Sequence, residues 1–259
     1  MKVVILCGGK GTRLAEETEF RPKPLVEIGG RPILWHIMKL YAYYGFKDFI
    51  LCLGYRMNMF KEYFLNYEEM NNDFTINLGK ETKIQFHGIH NEQNFSVTLF
   101  DTGLENMTGS RIKQIEPFID EDNFMVTYGD GLSNVDITKL VEFHRSHGKI
   151  GTVTVVRPVS RFGIIDFGKD KFVTSFSEKP EVDAWTNAGF FVFNKKLFDY
   201  IGNETDTVLE KTPVTDLSKN NQLAAFVHNG FFYPVDTYRE YLALNRMHDK
   251  GDVPWMVWK

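Results

Sequence analysis

The sequence has little cysteine and no excess of basic charge, and both shortages exclude classes of protein. Two cysteines occur in 259 residues, Cys7 and Cys52, each inside an apolar run that predicts a strand. We interpret both as core thiols of a reducing compartment, and no Cys/His cluster has zinc-ligand spacing. Thirty lysines and arginines stand against 34 acidic residues. Without a basic surface, a nucleic-acid partner is not expected.

Long hydrophobic runs are also missing. No segment reaches the roughly 18 consecutive apolar residues of a membrane-spanning helix, so we expect no membrane partner. The first nine residues contain a short apolar run but lack the small-residue cleavage site of a signal peptide. The sequence therefore favours a soluble cytoplasmic protein.

The apolar residues that are present, 43% of the chain, follow an α/β pattern. Residues 2–7 form an apolar run that stops at two glycines, which predicts a strand buried on both faces. Helical spacing follows over residues 33–41, and strand and helix patterns then alternate. We expect an α/β fold: a Rossmann-like mixed, mainly parallel sheet flanked by helices, with a smaller C-terminal region.

The pattern changes near residue 155. Beyond it, alternation over residues 162–177 predicts a hairpin. We expect residues 1–155 to form a core and residues 156–259 to pack on it within one structural unit.

The first predicted strand runs into the string GGKGTR at residues 8–13, and RPKP follows at residues 21–24. Bare backbone amides of such a loop bind phosphate oxygens, and Thr12 adds a hydroxyl. Arg13 can donate hydrogen bonds to two phosphate oxygens at once. The prolines on either side of Lys23 restrict the backbone conformation of the segment. The string fits neither the dinucleotide fingerprint nor the P-loop. The loop glycines are Gly8, Gly9 and Gly11.

These strings resemble those of the nucleotidyltransferases that join a sugar 1-phosphate to a nucleoside triphosphate, and the resemblance extends over nearly the whole chain. Its later landmarks are YGDG at 128–131, RFG at 161–163, EKP at 178–180, NAGFF at 187–191 and PVDT at 234–237. Within that superfamily, DTG at 101–103 and MTGSR at 107–111 resemble the base-reading stretch of the glucose-1-phosphate cytidylyltransferases.

The resemblance implies a role for each matching residue. The implied nucleotide-binding residues are Leu6, Gly8, Gly9, Gly11, Thr12, Arg13, Lys23, Gly103, Arg111, Gly129 and Asp130. Those implied for the sugar phosphate are Tyr128, Gly163, Glu178, Lys179, Asn187 and Gly189. The implied catalytic residues are Arg13, Lys23, Asp130 and Lys179. Asp130 and Asp236 would hold Mg²⁺ against the triphosphate, since Mg²⁺ takes one or two carboxylates plus phosphates.

From the residues alone, simpler interpretations of several of these positions stay open. Asp130 also fits a structural turn, and Asp236 fits the N-cap of the helix that follows it. Glu178 and Lys179 also fit an exposed ion pair. His36 lies beside an apolar helical stripe and is interpreted as structural.

The resemblance implies that CTP and glucose 1-phosphate react to give CDP-glucose and pyrophosphate. A sugar phosphate is mostly dianionic at pH 7, so the nucleophile needs no general base. Backbone carbonyls near Leu6 and Gly103 would accept from the cytosine amino group, and Arg111 would donate to the ring. A different phosphorylated acceptor and a non-catalytic nucleotide-binding homologue are the alternatives. The resemblance also implies a homo-oligomer, with a hexamer as one candidate.

Overall fold

The computed structural model describes residues 1–80, 82–160 and 162–259, and only the backbone of Arg13, Ala15 and Glu16. Its strands are β1 Val3–Leu6, β2 Glu27–Ile28, β3 Arg31–Pro32, β4 Asp48–Leu53, β5 Phe74–Asn77, β6 Lys83–Phe86, β7 Ser96–Asp101, β8 Asn123–Tyr128, β9 Gly131–Ser133, β10 Gly151–Val156, β11 Ile164–Phe167, β12 Val173–Ser177, β13 Thr186–Asn187, β14 Phe191–Asn194, β15 Leu223–Val227 and β16 Phe232–Pro234.

The α-helices are α1 Ala15–Thr18, α2 Ile33–Tyr43, α3 Met57–Leu65, α4 Tyr67–Asn71, α5 Thr108–Gln114, α6 Ile137–His147, α7 Thr212–Lys219 and α8 Tyr238–Asp249. Short 3₁₀ helices cover Thr12–Leu14, Lys23–Leu25, Glu116–Phe118 and Lys195–Tyr200. Within the described residues, no helix combines the length and apolar character that crossing a bilayer requires.

One large mixed sheet organises the chain, in the order β13, β10, β14, β8, β1, β4, β7, with β15 paired to β10. Strand β1 runs parallel to β4 and β8, and β4 runs parallel to β7. Strand β14 joins β8 to β10 through antiparallel pairs. The predicted α/β fold with a mainly parallel central sheet is confirmed. The sheet takes strands from both sides of residue 155.

Both faces of the sheet are buried, which explains why the central strands are continuously apolar. Val3 and Ile5 belong to a core cluster on one face, together with residues of α2 and α6. Val4 and Leu6 alternate with them and join a second cluster with residues of α5 and α7. Cys7 and Cys52 are free thiols within these cores, as predicted.

Two helix predictions differ from the structure near prolines. The sequence pattern predicts a helix over residues 110–119, but α5 ends at Gln114, before the short turn that contains Pro117. The pattern also predicts a helix over residues 208–218, but α7 begins only at Thr212, with Pro213 in its first turn. Proline fits a first turn because its missing N–H has no intrahelical partner there. The prolines therefore fix boundaries that apolar spacing alone misplaced.

His36 is a structural histidine, as predicted. Its ring is 2% exposed, and Nε2 lies 2.9 Å from the carbonyl oxygen of Ile28. The indole N–H of Trp255 donates to Nδ1 over 3.3 Å. Since Nδ1 accepts this bond, the proton of the neutral ring is on Nε2. The neutral ring therefore makes a hydrogen bond with each of these two neighbours. Trp255, which is 1% exposed, packs the C-terminal tail against the body of the protein.

This arrangement predicts acid sensitivity. Burial lowers the pKa of His36 from 6.5 to about 4. The unfolded chain takes up a proton as the pH falls through 6.5, whereas the folded protein resists until about pH 4. Hence the free energy of unfolding should fall across this window, by about 3 kcal/mol from this ring. Denaturant unfolding of wild type and His36→Gln at pH 7 and pH 4 measures it.

The exposed His87 supplies the control. The stability lost on acidification should be smaller in His36→Gln than in wild type, and unchanged in His87→Gln. Equal acid losses in all three proteins would show that burial of His36 does not set this pH dependence.

Candidate active site

Three charged side chains from distant parts of the chain meet beyond the ends of β1 and β8. The ammonium Nζ of Lys23 lies 2.8 Å from Oδ2 of Asp130 and 2.7 Å from Oδ1 of Asp236. Lys23 is only 7% exposed. One cation thus contacts both carboxylates at once, in a place where water competes little for these bonds.

The proline-framed segment presents Lys23 rigidly. Pro22 has an extended backbone, with φ −65° and ψ 145°, and its carbonyl accepts the Leu25 N–H at 2.8 Å. Lys23 therefore begins a 3₁₀ turn whose backbone is buried and fixed. Proline on either side restricts the chain to this path.

Asp130 follows strand β8 and lies next to the Pro22–Pro24 segment because residue 129 is glycine. A Cβ at Gly129 would lie 2.8 Å from Cγ of Pro24 and 3.1 Å from the carbonyl oxygen of Leu6. A side chain there would push the two segments apart. The Gly129 N–H also donates to that Leu6 carbonyl at 3.1 Å. Glycine thus allows the close approach that lets Asp130 reach Lys23.

A short antiparallel ladder brings Asp236 to the same point. Strand β16 pairs with β9, with Pro234 opposite Gly131, and the Val235 N–H donates to the Asp130 carbonyl at 2.8 Å. The two aspartates therefore lie at the same end of this ladder. Neither β9 nor β16 was among the predicted strands.

Helix α8 begins at Tyr238 and has Thr237, not Asp236, as its N-cap. A capping box joins Thr237 to Glu240. Glu240 Oε2 accepts the backbone N–H groups of Asp236 at 2.7 Å and Thr237 at 2.9 Å. The N-cap interpretation of Asp236 is therefore wrong, because Thr237 takes that role and the Asp236 carboxylate turns to Lys23. The spacing T-x-x-E, which signals a capping box, could have revealed this in the sequence.

The glycine loop lies beside this cluster. Gly11 has φ +65°, and a Cβ there would come within 3.2 Å of Cβ of Lys23. The loop then enters the 3₁₀ turn at Thr12, which is exposed like Gly9. The Arg13 side chain, predicted to be catalytic, lies outside the described part of the structure. The loop thus opens bare backbone to solvent directly next to Lys23.

Arg111 is buried, 4% exposed, and its guanidinium joins the end of one strand to two loops. Its Nη1 donates to the carbonyls of Leu53 at 2.9 Å and Gly103 at 2.7 Å. Its Nη2 donates to the carbonyls of Gly8 at 3.1 Å and Leu104 at 3.2 Å. Leu53 ends β4, and the other three residues lie in the loops after β1 and β7. Burial lowers the pKa of the guanidinium, and nearby anionic groups counter that effect.

Arg111 therefore positions the carbonyl of Gly103, one of the two proposed to read the base. The Gly103 carbonyl accepts from the guanidinium, and Gly103 itself has φ +83°, a region that favours glycine. Gly54, which lies in none of the motifs named above, completes this packing. A Cβ at Gly54 would lie 2.7 Å from Nη1 of Arg111 and 2.9 Å from the Gly103 oxygen.

A second polar cluster continues from the end of β8. The Asn187 amide donates to the Tyr128 hydroxyl at 3.2 Å, and the Gly189 N–H donates to Asn187 Oδ1 at 2.8 Å. The Tyr128 hydroxyl donates to the carboxylate of Glu210. Burial raises the pKa of Tyr128, and the charge of Glu210 raises it further, so the hydroxyl keeps its proton. The structure thus brings together three predicted sugar-site residues, and adds Glu210, for which the sequence has no motif.

The remaining predicted sugar-site residues lie on and beside the exposed hairpin of β11 and β12. Lys179 pairs with Glu178 at 3.0 Å, and their side chains are 44% and 61% exposed. A Cβ at Gly163 would lie 3.2 Å from Glu178 Oε2. Among the described residues, this is the only ion pair of Lys179. Arg161, a landmark of the resemblance, lies outside the described residues.

In mainly parallel α/β sheets of this kind, ligands bind in the crevice beyond the carboxyl ends of the strands, where the glycine loop, Lys23 and the two aspartates lie. The chain belongs to the nucleotidyl transferase family, whose model matches residues 2–248. It is 46% identical to glucose-1-phosphate cytidylyltransferase of Salmonella typhimurium over 261 aligned residues, which cover all of both chains. It is 43% identical to the probable glucose-1-phosphate cytidylyltransferase of Bacillus subtilis, again over the full length of both.

A solved structure supports the fold. The crystal structure of HddC from Yersinia pseudotuberculosis superposes with a TM-score of 0.69 at 25% identity, over 95% of this chain and 99% of that one. The family predicted from the motifs is therefore confirmed.

The packing of Arg111 against Gly8 predicts that this glycine is structurally required. A Cβ at Gly8 would lie 2.1 Å from Nη1 of Arg111, whereas a Cβ at Gly9 meets no heavy atom within 4 Å. Gly8→Ala should displace the guanidinium from its carbonyl partners and lower the free energy of unfolding by about 2 to 4 kcal/mol. Gly9→Ala should change it by less than about 0.5 kcal/mol. Equal losses in the free energy of unfolding of the two variants, measured by urea denaturation, would contradict the packing argument.

Proposed function

We propose that this chain transfers a cytidylyl group from CTP to glucose 1-phosphate, giving CDP-glucose and pyrophosphate. The observation that carries the proposal is the contact of Lys23 with both Asp130 and Asp236 beside the glycine loop. Full-length identity of 43–46% to two proteins named for this activity supports the choice of substrates.

The chemistry fits a site without a general base. The phosphate of glucose 1-phosphate is mostly dianionic at neutral pH and is already a nucleophile. The obstacle is its repulsion from the triphosphate, so catalysis depends on positioning and on neutralising charge. The buried ammonium of Lys23 binds the α-phosphate, and the loop amides at Gly8, Gly9 and Gly11 cradle the phosphate chain. Arg13 balances charge on the departing pyrophosphate.

A divalent cation belongs to this proposal, because the nucleotidyl transferase family generally uses one. Asp130 and Asp236 fit it: the ammonium of Lys23 already contacts an oxygen of each, as a stand-in for a cation held by both. Within the described residues, no group of three or more acidic, His or Cys side chains could hold a metal ion. Two carboxylates are enough for Mg²⁺, which takes one or two of them and completes its shell with phosphates and water. When bound there, Mg²⁺ supplies further neutralisation of the phosphate charge.

The acceptor occupies the region of Tyr128, Asn187 and Gly189 in this proposal, next to the end of β8. Lys179 and Glu178 approach it from their hairpin, Lys179 toward the sugar phosphate and Glu178 toward the sugar hydroxyls, with Gly163 beside them. Cytosine lies against the backbone of Leu6 and Gly103. Residues 1–155 thus hold the nucleotide, and residues 156–259 supply most of the sugar site.

We also propose that the protein is a homo-oligomer. The hairpin of β11 and β12 is exposed on both faces, and Phe162, Phe172 and Phe176 on or beside it are each more than 60% exposed. Apolar surface of this extent favours a protein contact. Light scattering that returned the 30.1 kDa of one chain would contradict it.

A matrix of nucleoside triphosphates against sugar 1-phosphates tests the function, with pyrophosphate release as the readout. CTP with glucose 1-phosphate should give the highest kcat/KM. Uracil and thymine present a carbonyl where cytosine presents an amino group, and the backbone carbonyls of Leu6 and Gly103 cannot donate to it. Equal or faster release with UTP or dTTP would overturn the base assignment, and release with another sugar phosphate alone would overturn the acceptor.

Removing charge from the cluster should slow turnover. Asp130→Ala and Lys23→Ala should each lower kcat by at least about 10²-fold, the scale of losing one preorganised electrostatic contact. Lys139→Ala is the matched control, because Lys139 is an exposed lysine of α6 that pairs with Asp136 at 3.3 Å. Near-normal turnover in either cluster variant would remove that residue from the mechanism.

A further inference from the structure

The segment 204–210 is joined to the start of α5 by hydrogen bonds. The Met107 N–H donates to the Thr205 carbonyl at 2.9 Å, and the Gly109 N–H donates to the Thr207 carbonyl at 2.9 Å. A Cβ at Gly109 would lie 2.9 Å from that Thr207 oxygen. The backbone of the segment therefore stays attached to α5 whatever the side chains do.

Glu210 ends this segment with a carboxylate that has two partners in different elements. Oε2 accepts the hydroxyl of Thr108, in the first turn of α5, at 2.8 Å. Oε1 accepts the hydroxyl of Tyr128, the last residue of β8. One side chain thus links the helix that carries Arg111 to the strand end that leads to Asp130. Hydrogen bonds to a charged acceptor are stronger than neutral ones and fix geometry more tightly.

The bond to Tyr128 extends through the proposed acceptor site. The Tyr128 hydroxyl oxygen also accepts a hydrogen bond from the Asn187 side-chain amide. The carbonyl oxygen of that amide accepts a hydrogen bond from the Gly189 N–H. A Cβ at Gly189 would lie 2.8 Å from Cδ2 of Tyr128, so the ring packs directly on that backbone. The orientation of Tyr128 therefore sets the positions of Asn187 and Gly189, and Glu210 sets the orientation of Tyr128.

We propose that Glu210 is a positioning residue for the acceptor sugar phosphate. It holds the Tyr128 hydroxyl at a fixed distance from α5. The surface formed by Tyr128, Asn187 and Gly189 then keeps a fixed position relative to the proposed nucleotide site. This inference rests on the function proposed above. Small misplacement of a bound reactant is enough to cost a large factor in rate. Loss of Glu210 should therefore weaken use of the acceptor and spare the nucleotide site, which the backbone bonds of α5 maintain.

Steady-state kinetics of Glu210→Ala, with each substrate varied in turn, tests the inference. The KM for glucose 1-phosphate should rise at least about tenfold, and the KM for CTP should change less than about threefold. Glu210→Gln should restore most of the acceptor KM, since its amide oxygen accepts from Tyr128 and its NH₂ donates to the Thr108 hydroxyl. Glu204→Ala is the matched control, because Glu204 is an exposed acidic residue of the same segment.

The outcomes separate the inference from the function on which it rests. Wild-type protein that releases no pyrophosphate from CTP and glucose 1-phosphate would refute the proposed function. Active protein whose acceptor KM is unchanged in Glu210→Ala would refute the role of Glu210. Equal rises in both KM values, with no recovery in Glu210→Gln, would show a merely structural residue. Should Glu210→Ala not fold, Tyr128→Phe removes the same hydrogen bond, and an unchanged acceptor KM there would refute the inference equally.

Discussion

The contact of one buried ammonium with two carboxylates is the interaction on which the rest of the site depends. Lys23 lies within 2.8 Å of an oxygen of both Asp130 and Asp236, although 107 and 213 residues separate them in the chain. A buried lysine is stable only when its charge is matched by partners of this kind. The same two carboxylates are those proposed to hold a divalent cation, so the fold and the proposed phosphate site depend on the same three side chains.

Glycines allow the segments that carry these side chains to approach one another closely. Gly129 lets β8 approach Pro24, and Gly8 and Gly54 leave room for the guanidinium of Arg111. Each glycine removes a side chain where two backbones, or a backbone and a charged group, come close. The cluster thus depends on close contacts between backbone segments as much as on charged groups.

The sequence predicted the parts of the molecule whose signal is local. Apolar runs and helical spacing located the central strands and α2, and the strings around Lys23 and Asp130 indicated the family. Contacts between distant segments had no such signal. The ladder of β9 and β16 consists of three-residue strands, and its pairing depends on where the large sheet places its ends. Glu210 is a single acidic residue whose two partners lie 82 and 102 positions away, so only the folded chain reveals it.

The central claim is that Lys23 acts as a cation for the pair Asp130 and Asp236. Calorimetric titration of Mg²⁺ into nucleotide-free protein tests it most directly, with wild type compared to Lys23→Met, which keeps a similar volume and removes the charge. The account predicts that Lys23→Met binds Mg²⁺ at least about tenfold more tightly than wild type, because an opposing charge has left the site. Adding Asp130→Asn should abolish the gain. Identical Mg²⁺ affinities in wild type and Lys23→Met would contradict the claim.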